Sequence, residues 1–374
     1  MFNMTNEEKL NYIKEMHKFA MKYRIDDYPL EEQEQLAKEF DIEFKKKILP
    51  LQPHKLYRYR TVNNDNLNAL ENDYGWFSVP KDFDDTVDST VNIDPEKEVE
   101  ELMANQGESM YEFNLEIAKM ALKNSGYDIS EEMIRKCLDC YEDGKLNLEL
   151  LNQLFDGQYP NASAKEKNDA IKKVLESNNK ELSEDIKEAT VGYLDNFIGT
   201  NENIRTSILV YCLAEELNNA ALWGTYADKS TGFCIEYTIP YFEDEISKNL
   251  RINLFPIYYG TKEEIKVFDM LKKSIFNNNP KDINGITQED YEKMFISSYT
   301  KDESWSFQKE WRITYPLVRG NKQHIPYVSS VILGERMKDK DKNKIIEICK
   351  KKGIKIYERT YNFSNSKIIL REIN

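Results

Sequence analysis

The sequence predicts an α+β fold built on a mixed, largely antiparallel sheet, and three observations carry that expectation. Strand-like and helix-like segments interleave, yet most strand segments lack the spacing of βαβ units. Neither GxGxxG nor GxxxxGK[ST] occurs, so the glycine-rich phosphate cradles of dinucleotide and P-loop folds are absent. A long polar block between residues 94 and 201 has helical periodicity and no convincing strand, which makes it a helical insertion in the sheet-bearing part.

In chain order, residues 1–53 read as an N-terminal helical extension, two charged helices parted near Asp26–Pro29. HKLYRYRTV opens the core as a strand. NNDNLNALEND follows as a helix N-capped by Asn or Asp, and YGWFSVP as a second strand. The α+β core is expected over residues 54–93 and 202–374. Within the insertion, EKEVEELMANQ, YEFNLEIAKMALKNS, SEEMIRKCLDCYED, AKEKNDAIKKVLESN and SEDIKEATVGYLDNF all read as helices. Strands return with RTSILVYCLAEE, TGFCIEYTIP and NLFPIYYG. A polar helical stretch broken by the loop NNNPKDINGI comes next, then EWRITYPLV, SSVILGE, the helix KDKDKNKIIEICKKKG and the strand IKIYERT.

At 374 residues the chain has room for roughly two domains. No apolar run approaches the ~20 residues needed to cross a bilayer, so no membrane is expected. The N-terminus lacks the basic and apolar regions of a secretory signal, which makes the cytoplasm the expected location. A formal charge of −14 disfavours nonspecific nucleic-acid binding, which needs clustered Lys and Arg. The five cysteines are odd in number and scattered, the pattern of reduced thiols. Cys137 and Cys140 form a CxxC on a helical segment, but no second pair completes a zinc site.

The stretch SWSFQKEWRI, Ser304 to Ile313, puts a glutamate between a lysine and a tryptophan. Read as one strand, Ser306, Gln308, Glu310 and Arg312 share a face, while Trp305, Phe307, Lys309 and Trp311 share the other. The polar face is either a wet sheet surface or the floor of a pocket. Two tryptophans and Arg312 beside Glu310 favour the pocket. Arg58 and Arg60 alternate with Tyr57 and Tyr59, so both guanidiniums share a strand face and are suited to an anion such as pyrophosphate. Pairing with Asp84, Asp85 or Glu310 is an equal alternative.

Trp223 and Tyr226 stand at helical spacing, which fits core packing or a stacking wall for a ring. Glu236, between Ile235 and Tyr237, reads as a solvent-facing strand position or a second pocket carboxylate. Asp84, Asp85 and Asp88 could join Glu236 and Glu310 around Mg²⁺ for nuclease chemistry. However, no lysine follows either glutamate at nuclease spacing, and a capped turn accounts for DFDD. No metal is expected.

Four blocks occur in order: KLYRYRTVNNDNLNALENDYGWFSVPKDFDDTVD, RTSILVYCLAEELNNAALWGTYADKSTGFCIEYTI, SWSFQKEWRI and SSVILGERMKDKDKNKIIEICKKKGIKIYERT. Together they resemble the bacterial domain of unknown function 2971 family, with its KYR-like strand, "FNDP" turn, "W..YA....G.CIEF" and "W.YE.EWR" blocks and terminal "ILG" strand–helix–strand. The turn departs from that pattern as Phe83-Asp84-Asp85-Thr86, and the first glutamate of the "YE.E" pair is Gln308. The opening strand–helix–strand is also similar to ADP-ribosyltransferase-like folds. That likeness implies an early-strand polar residue, an aromatic and a late-strand glutamate around NAD.

On this resemblance Glu310 and Tyr226 take catalytic roles, and Arg58, Tyr59, Arg60, Trp223 and Arg312 line the ligand. NAD is the implied substrate. The implied function is a NAD- or nucleotide-utilising effector, ADP-ribosyltransferase-like or NAD glycohydrolase-like, of the kind used as bacterial toxins or in phage defence. The competing expectation is a non-enzymatic sensor or interaction module that engages a protein partner through its helical insertion.

Overall fold

A computed structural model of the protein describes residues 4–24, 28–94, 97–98, 115, 131–142, 145–158, 160–161, 163–166, 205–267, 287–362 and 367–373. The chain divides into two compact units. One comprises Met1–Val91, Asn201–Glu263 and Glu292–Asn374, the other Asn92–Thr200 and Glu264–Tyr291.

The first unit begins with α1 (Asn6–Lys22), whose N-terminus is closed by a capping box between Thr5 and Glu8. Tyr12, Ile13, Met16 and Phe19 recur at three- and four-residue spacing and bury one stripe of the helix. α2 (Leu30–Lys47) contributes Phe44 to the same core. The helices of residues 1–53 thus share a core with the sheet. Tyr12 meets Trp311 edge-on with ring centroids 5.6 Å apart, and donates its hydroxyl to the Leu254 carbonyl at 2.9 Å.

Next come β1 (Leu56–Arg60), α3 (Asn64–Glu71), N-capped by the Asn63 side chain, and β2 (Tyr74–Trp76). The second unit supplies α4 (Glu131–Leu138), β3 (Tyr141–Glu142), β4 (Lys145–Leu146) and α5 (Leu148–Gln158). The first resumes with β5 (Ile208–Ala214), α6 (Ala220–Thr225), β6 (Phe233–Tyr237), α7 (Glu245–Ile252), β7 (Leu254–Pro256) and β8 (Tyr258–Tyr259). Helix α8 (Gln288–Ser298) leads into β9 (Thr300–Lys301) and β10 (Glu310–Pro316). The chain closes with β11 (Lys322–His324), β12 (Val328–Leu333), α9 (Asp339–Lys352), β13 (Lys355–Asn362) and β14 (Lys367–Glu372).

The main sheet has eight strands in the order β14-β13-β12-β6-β1-β5-β10-β7. Every neighbouring pair is antiparallel except β12 and β13, which α9 connects in parallel. The expected mixed, largely antiparallel α+β sheet is therefore present. β2 joins β11 in a separate two-stranded sheet. One face of the main sheet carries the large core, with Leu56, Tyr211, Leu213, Phe233, Ile235, Trp311 and Ile313. The opposite face carries a smaller cluster around Tyr59, Trp223, Cys234 and Ile332.

In the second unit, SEEMIRKCLDCYED is helical to Leu138 and then changes, because β3 and β4 pair as a small antiparallel hairpin. This corrects the reading of residues 94–201 as strand-free; Asp143-Gly144 between the two short strands is the overlooked hairpin signal. The hairpin is a sheet of its own. The other four helices expected there, and the loop NNNPKDINGI, lie largely or wholly outside the described residues. Cys140, Cys212, Cys234 and Cys349 are free thiols. No helix among the described residues is long and apolar enough to cross a membrane.

Gly232 fixes how β1 meets β6. A Cβ there would sit 2.2 Å from the Arg60 carbonyl oxygen and 3.0 Å from Ala227 Cα, both backbone atoms that cannot swing aside. Gly232→Ala is expected to lower stability by about 1–3 kcal/mol or more, the usual range for overpacking. A denaturant midpoint equal to that of the parent protein would contradict this close approach.

Candidate functional site

The pairing of β10 with β5 sets Glu310 opposite Ala214, Trp311 opposite Leu213 and Arg312 opposite Cys212. Alternation along the strand sends Trp311 and Ile313 into the large core and Glu310 and Arg312 to the other face. The expectation of one continuous strand through SWSFQKEWRI is corrected. Glu303–Gln308 form a 3₁₀ helix, and Lys309 breaks it in the left-handed region at φ 43° before β10 begins. Trp305 and Trp311 therefore do not share a face. Gln308 and Glu310 nonetheless come together, because both turn toward Lys301 on β9.

Lys301 Nζ donates to Glu310 Oε2 at 2.9 Å and to Gln308 Oε1 at 2.9 Å, and lies 3.2 Å from Asp88 Oδ2. Arg312 donates through Nε to Glu310 Oε1 at 2.8 Å. Its two terminal nitrogens grip Asp88 in a bidentate pair at 2.7 and 2.6 Å. Arg312 and Asp88 are each 1% exposed. Two carboxylates thus face two cations, and the buried cluster is formally neutral.

Burial alone would raise the Glu310 carboxyl, but Arg312 and Lys301 outweigh it and hold it far below the usual carboxylate range. Asp88 is depressed in the same way, by Arg312 first and then Lys301. Burial pulls Lys301 down, yet Glu310 and Asp88 keep its ammonium above the ordinary lysine value. The Glu310 amide donates to Tyr259 Oη at 2.8 Å, and the Tyr259 amide donates to Asn6 Oδ1 at 2.9 Å. Helix α1 therefore supports the glutamate from behind.

A cavity of about 280 Å³ opens where β1 and β5 part. The two strands are in register only at Tyr57 and Ala214; further along, Val210 of β5 exchanges both backbone hydrogen bonds with Ser78 instead, at 2.9 and 3.1 Å. Arg58, on the β1 edge of this breach, donates to the Cys212 carbonyl and lies 4.7 Å from the Tyr211 ring centroid. Arg60 lies 5.8 Å from the same ring.

By register both arginines project from the sheet face opposite Glu310, but the breach lets all three line one cavity. No carboxylate among the described residues pairs with either arginine, and the buried Arg58 Nε has no hydrogen-bond partner. Burial and the neighbouring Arg58 lower the Arg60 guanidinium.

Tyr226 also lines the cavity, and its hydroxyl accepts from Gln308 Nε2 at 2.8 Å. Phe83, Asp84, Trp305, Lys301 and Gln308 complete the part of the wall near Glu310. Other expected site residues are placed differently. Trp223 is fully buried, donates its indole N–H to the Leu217 carbonyl at 2.8 Å and meets Tyr59 edge-on, so it is core and not a stacking wall. Tyr59 reaches the cavity rim but spends its hydroxyl on the Glu216 and Leu217 carbonyls. Arg312 is spent on Asp88 and Glu310, which leaves no free fork for a ligand phosphate.

Glu236 is buried and not solvent-facing. It is held by Lys55 at 3.0 Å, Ser329 at 2.8 Å and Tyr57 at 3.3 Å, on a strand two places from β10's neighbour. Asp85 caps its own turn by accepting from the Val87 amide at 3.1 Å. Among the described residues no three His, Cys, Asp or Glu side chains group to hold a metal. Lys301 was not foreseen. It is one lysine in a mixed segment, SSYTKDESW, and no periodicity marks it as buried.

The fold and site define an α+β protein with a polar cavity at a breach in its central sheet, floored by a neutralised charge cluster. Residues 222–313, which carry Tyr226, Lys301, Gln308, Glu310 and Arg312, match the model of a family described as "Protein of unknown function (DUF2971)". The resemblance to that family holds over this stretch. No curated protein and no solved structure matches the chain. The likeness to ADP-ribosyltransferase-like folds therefore rests on the sequence of the opening strand–helix–strand and on the chain order of Arg58 or Arg60, Tyr226 and Glu310, with no structural match behind it.

Proposed function

We propose that this cavity binds a nucleotide-type ligand and acts on it, with NAD as the first substrate to try. The observation that carries the reading is two guanidiniums without acid partners, Arg58 and Arg60, in the same cavity as Glu310, whose carboxylate Arg312 and Lys301 hold in its charged form. Both guanidiniums are half-buried, where an anion gains from reduced solvent screening, and a phosphate matches the planar fork of donors. Glu310 keeps unused acceptor sites on both oxygens and suits a ribose hydroxyl.

In the enzymatic form, nicotinamide leaves with the electrons of the glycosidic bond. Water or an acceptor hydroxyl then bonds to the sugar carbon and loses its proton. Glu310 favours the positive charge that develops on the sugar. A cavity of about 280 Å³ falls just below the ~300–1,000 Å³ common for ligand sites, a size for one nucleoside phosphate portion of a ligand.

One observation favours a second reading, binding without turnover. Lys301 and Arg312 already balance the charges of Glu310 and Asp88, which weakens the field Glu310 can direct at a developing cation. Incubating the purified protein with NAD, and measuring released nicotinamide alongside calorimetric binding, separates the two. Turnover supports the enzyme and binding alone supports the sensor. Neither signal, with NAD or with mononucleotides, removes both.

Arg60→Lys is expected to weaken nucleotide binding roughly tenfold or more with little change in melting. It keeps the charge, loses the planar fork, and breaks no hydrogen bond to the protein backbone. Unchanged affinity would take Arg60 out of the site.

A further inference from the structure

The hydrogen-bond chain behind the cavity wall has a direction. Lys301 is an ammonium and can only donate, so the Gln308 atom 2.9 Å from it must be the amide oxygen. The Gln308 NH₂ group is then the end that faces Tyr226, and it donates to the phenol oxygen at 2.8 Å. Amide orientation is often ambiguous, but here an obligate donor fixes it. Gln308 is 5% exposed and cannot turn to water. With its oxygen accepting from Gln308, Tyr226 keeps its own hydrogen, and the half-buried hydroxyl borders the cavity.

We infer that Lys301 and Gln308 hold Tyr226 as a hydrogen-bond donor to the ligand, so that the ligand presents an acceptor there: a carbonyl, a ring nitrogen or a phosphoryl oxygen. This rests on the reading of the cavity as a ligand site and narrows what that ligand is. A group that can only donate, such as an ammonium, is disfavoured at Tyr226, because it leaves the phenol hydrogen without an acceptor in the cavity. Lys301 and Gln308 are positioning residues that act through Tyr226. A glutamate in place of Gln308 would accept from Lys301 and from Tyr226 alike, take up the phenol hydrogen, and reverse the preference to ligand donors.

The polarity is read without any ligand. With 3-fluorotyrosine placed at position 226, the ¹⁹F signal follows the hydroxyl titration. A donor to the phenol oxygen stabilises the phenolate, so Gln308→Met, which removes that donor at similar volume, should move the midpoint up. A midpoint that falls or stays put would mean that Tyr226 donates to Gln308, and the inference is overturned. Should the Met variant not fold, neutron density of the unsubstituted, deuterated protein decides: deuterium directed into the cavity supports the inference, and deuterium on the line to Gln308 refutes it.

NAD, whose carboxamide offers a carbonyl, is the ligand probe. Tyr226→Phe should weaken its binding on the order of tenfold, the worth of one hydrogen bond. Equal affinity overturns the acceptor assignment. Absence of NAD binding to the unsubstituted protein counts against the proposed function, while the ¹⁹F titration still decides the polarity of Tyr226.

Discussion

Arg312→Met is expected to be the most damaging single change in the site, destabilising by about 3–5 kcal/mol, the cost of breaking a buried ion pair, or preventing folding outright. Arg312 makes three charge-assisted bonds, two to Asp88 and one to Glu310. Its removal leaves two buried carboxylates sharing Lys301. Methionine fills the stem volume, so the loss is electrostatic in origin.

The pH dependence distinguishes this cause from a packing defect. In the parent protein both carboxyls are depressed, so their stabilisation is fully present above the ordinary carboxylate range and is lost progressively as pH falls from that range toward the depressed folded values. In the variant, crowding and burial raise them instead, the folded state gains protons relative to the unfolded, and the deficit narrows as pH is lowered. Urea melts of both proteins across mildly acidic pH test this. A deficit constant with pH would show that Arg312 matters as bulk.

The difference between what the sequence disclosed and what it concealed follows the range of the interactions. Strands β1, β5, β6, β10, β12 and β13 were legible because apolar alternation is a local signal. The helix capped by Asn63 was legible because an Asn cap is one too. The grouping of Glu310 with Arg312 was legible at strand period. The 3₁₀ turn over Glu303–Gln308 was not, since ESWSFQ carries no breaker and the reversal depends on Lys309 taking a left-handed conformation.

Nor could the chain reveal that Asp88, 224 positions from Arg312, would be its partner. Asp88 was visible as one of three acids, but as a turn or metal group. The placement of Arg58 and Arg60 shows the same limit from the other side. Their shared strand face was readable from alternation. Their access to Glu310 across the sheet was not, because it requires β1 and β5 to separate after one paired residue. Trp223 shows that spacing on a helix does not tell a core ring from a ligand wall.

Glu310→Gln should produce the second large effect, and its two readouts separate chemistry from architecture. The substitution keeps shape and removes one negative charge from a balanced set, leaving Arg312 and Lys301 with Asp88 alone. Stability should fall by about 3–5 kcal/mol, the range for a broken buried pair, which shows as a melting midpoint lower by roughly 5–10 °C. Lys301 loses the partner that most raises its ammonium, so burial dominates and part of the loss is recovered at alkaline pH as the amine sheds its proton.

If Glu310 also favours a developing positive charge on a bound sugar, nicotinamide release should drop by about 10²–10³-fold, the scale of losing one preorganised electrostatic contact. This drop should appear even at temperatures where the variant is fully folded. Arg312→Lys is the control for stability alone, since it disturbs the cluster while leaving the Glu310 carboxylate in the cavity wall. Equal activity losses in the two variants would make Glu310 a structural anion. A loss confined to Glu310→Gln would make it the residue that faces the reacting sugar.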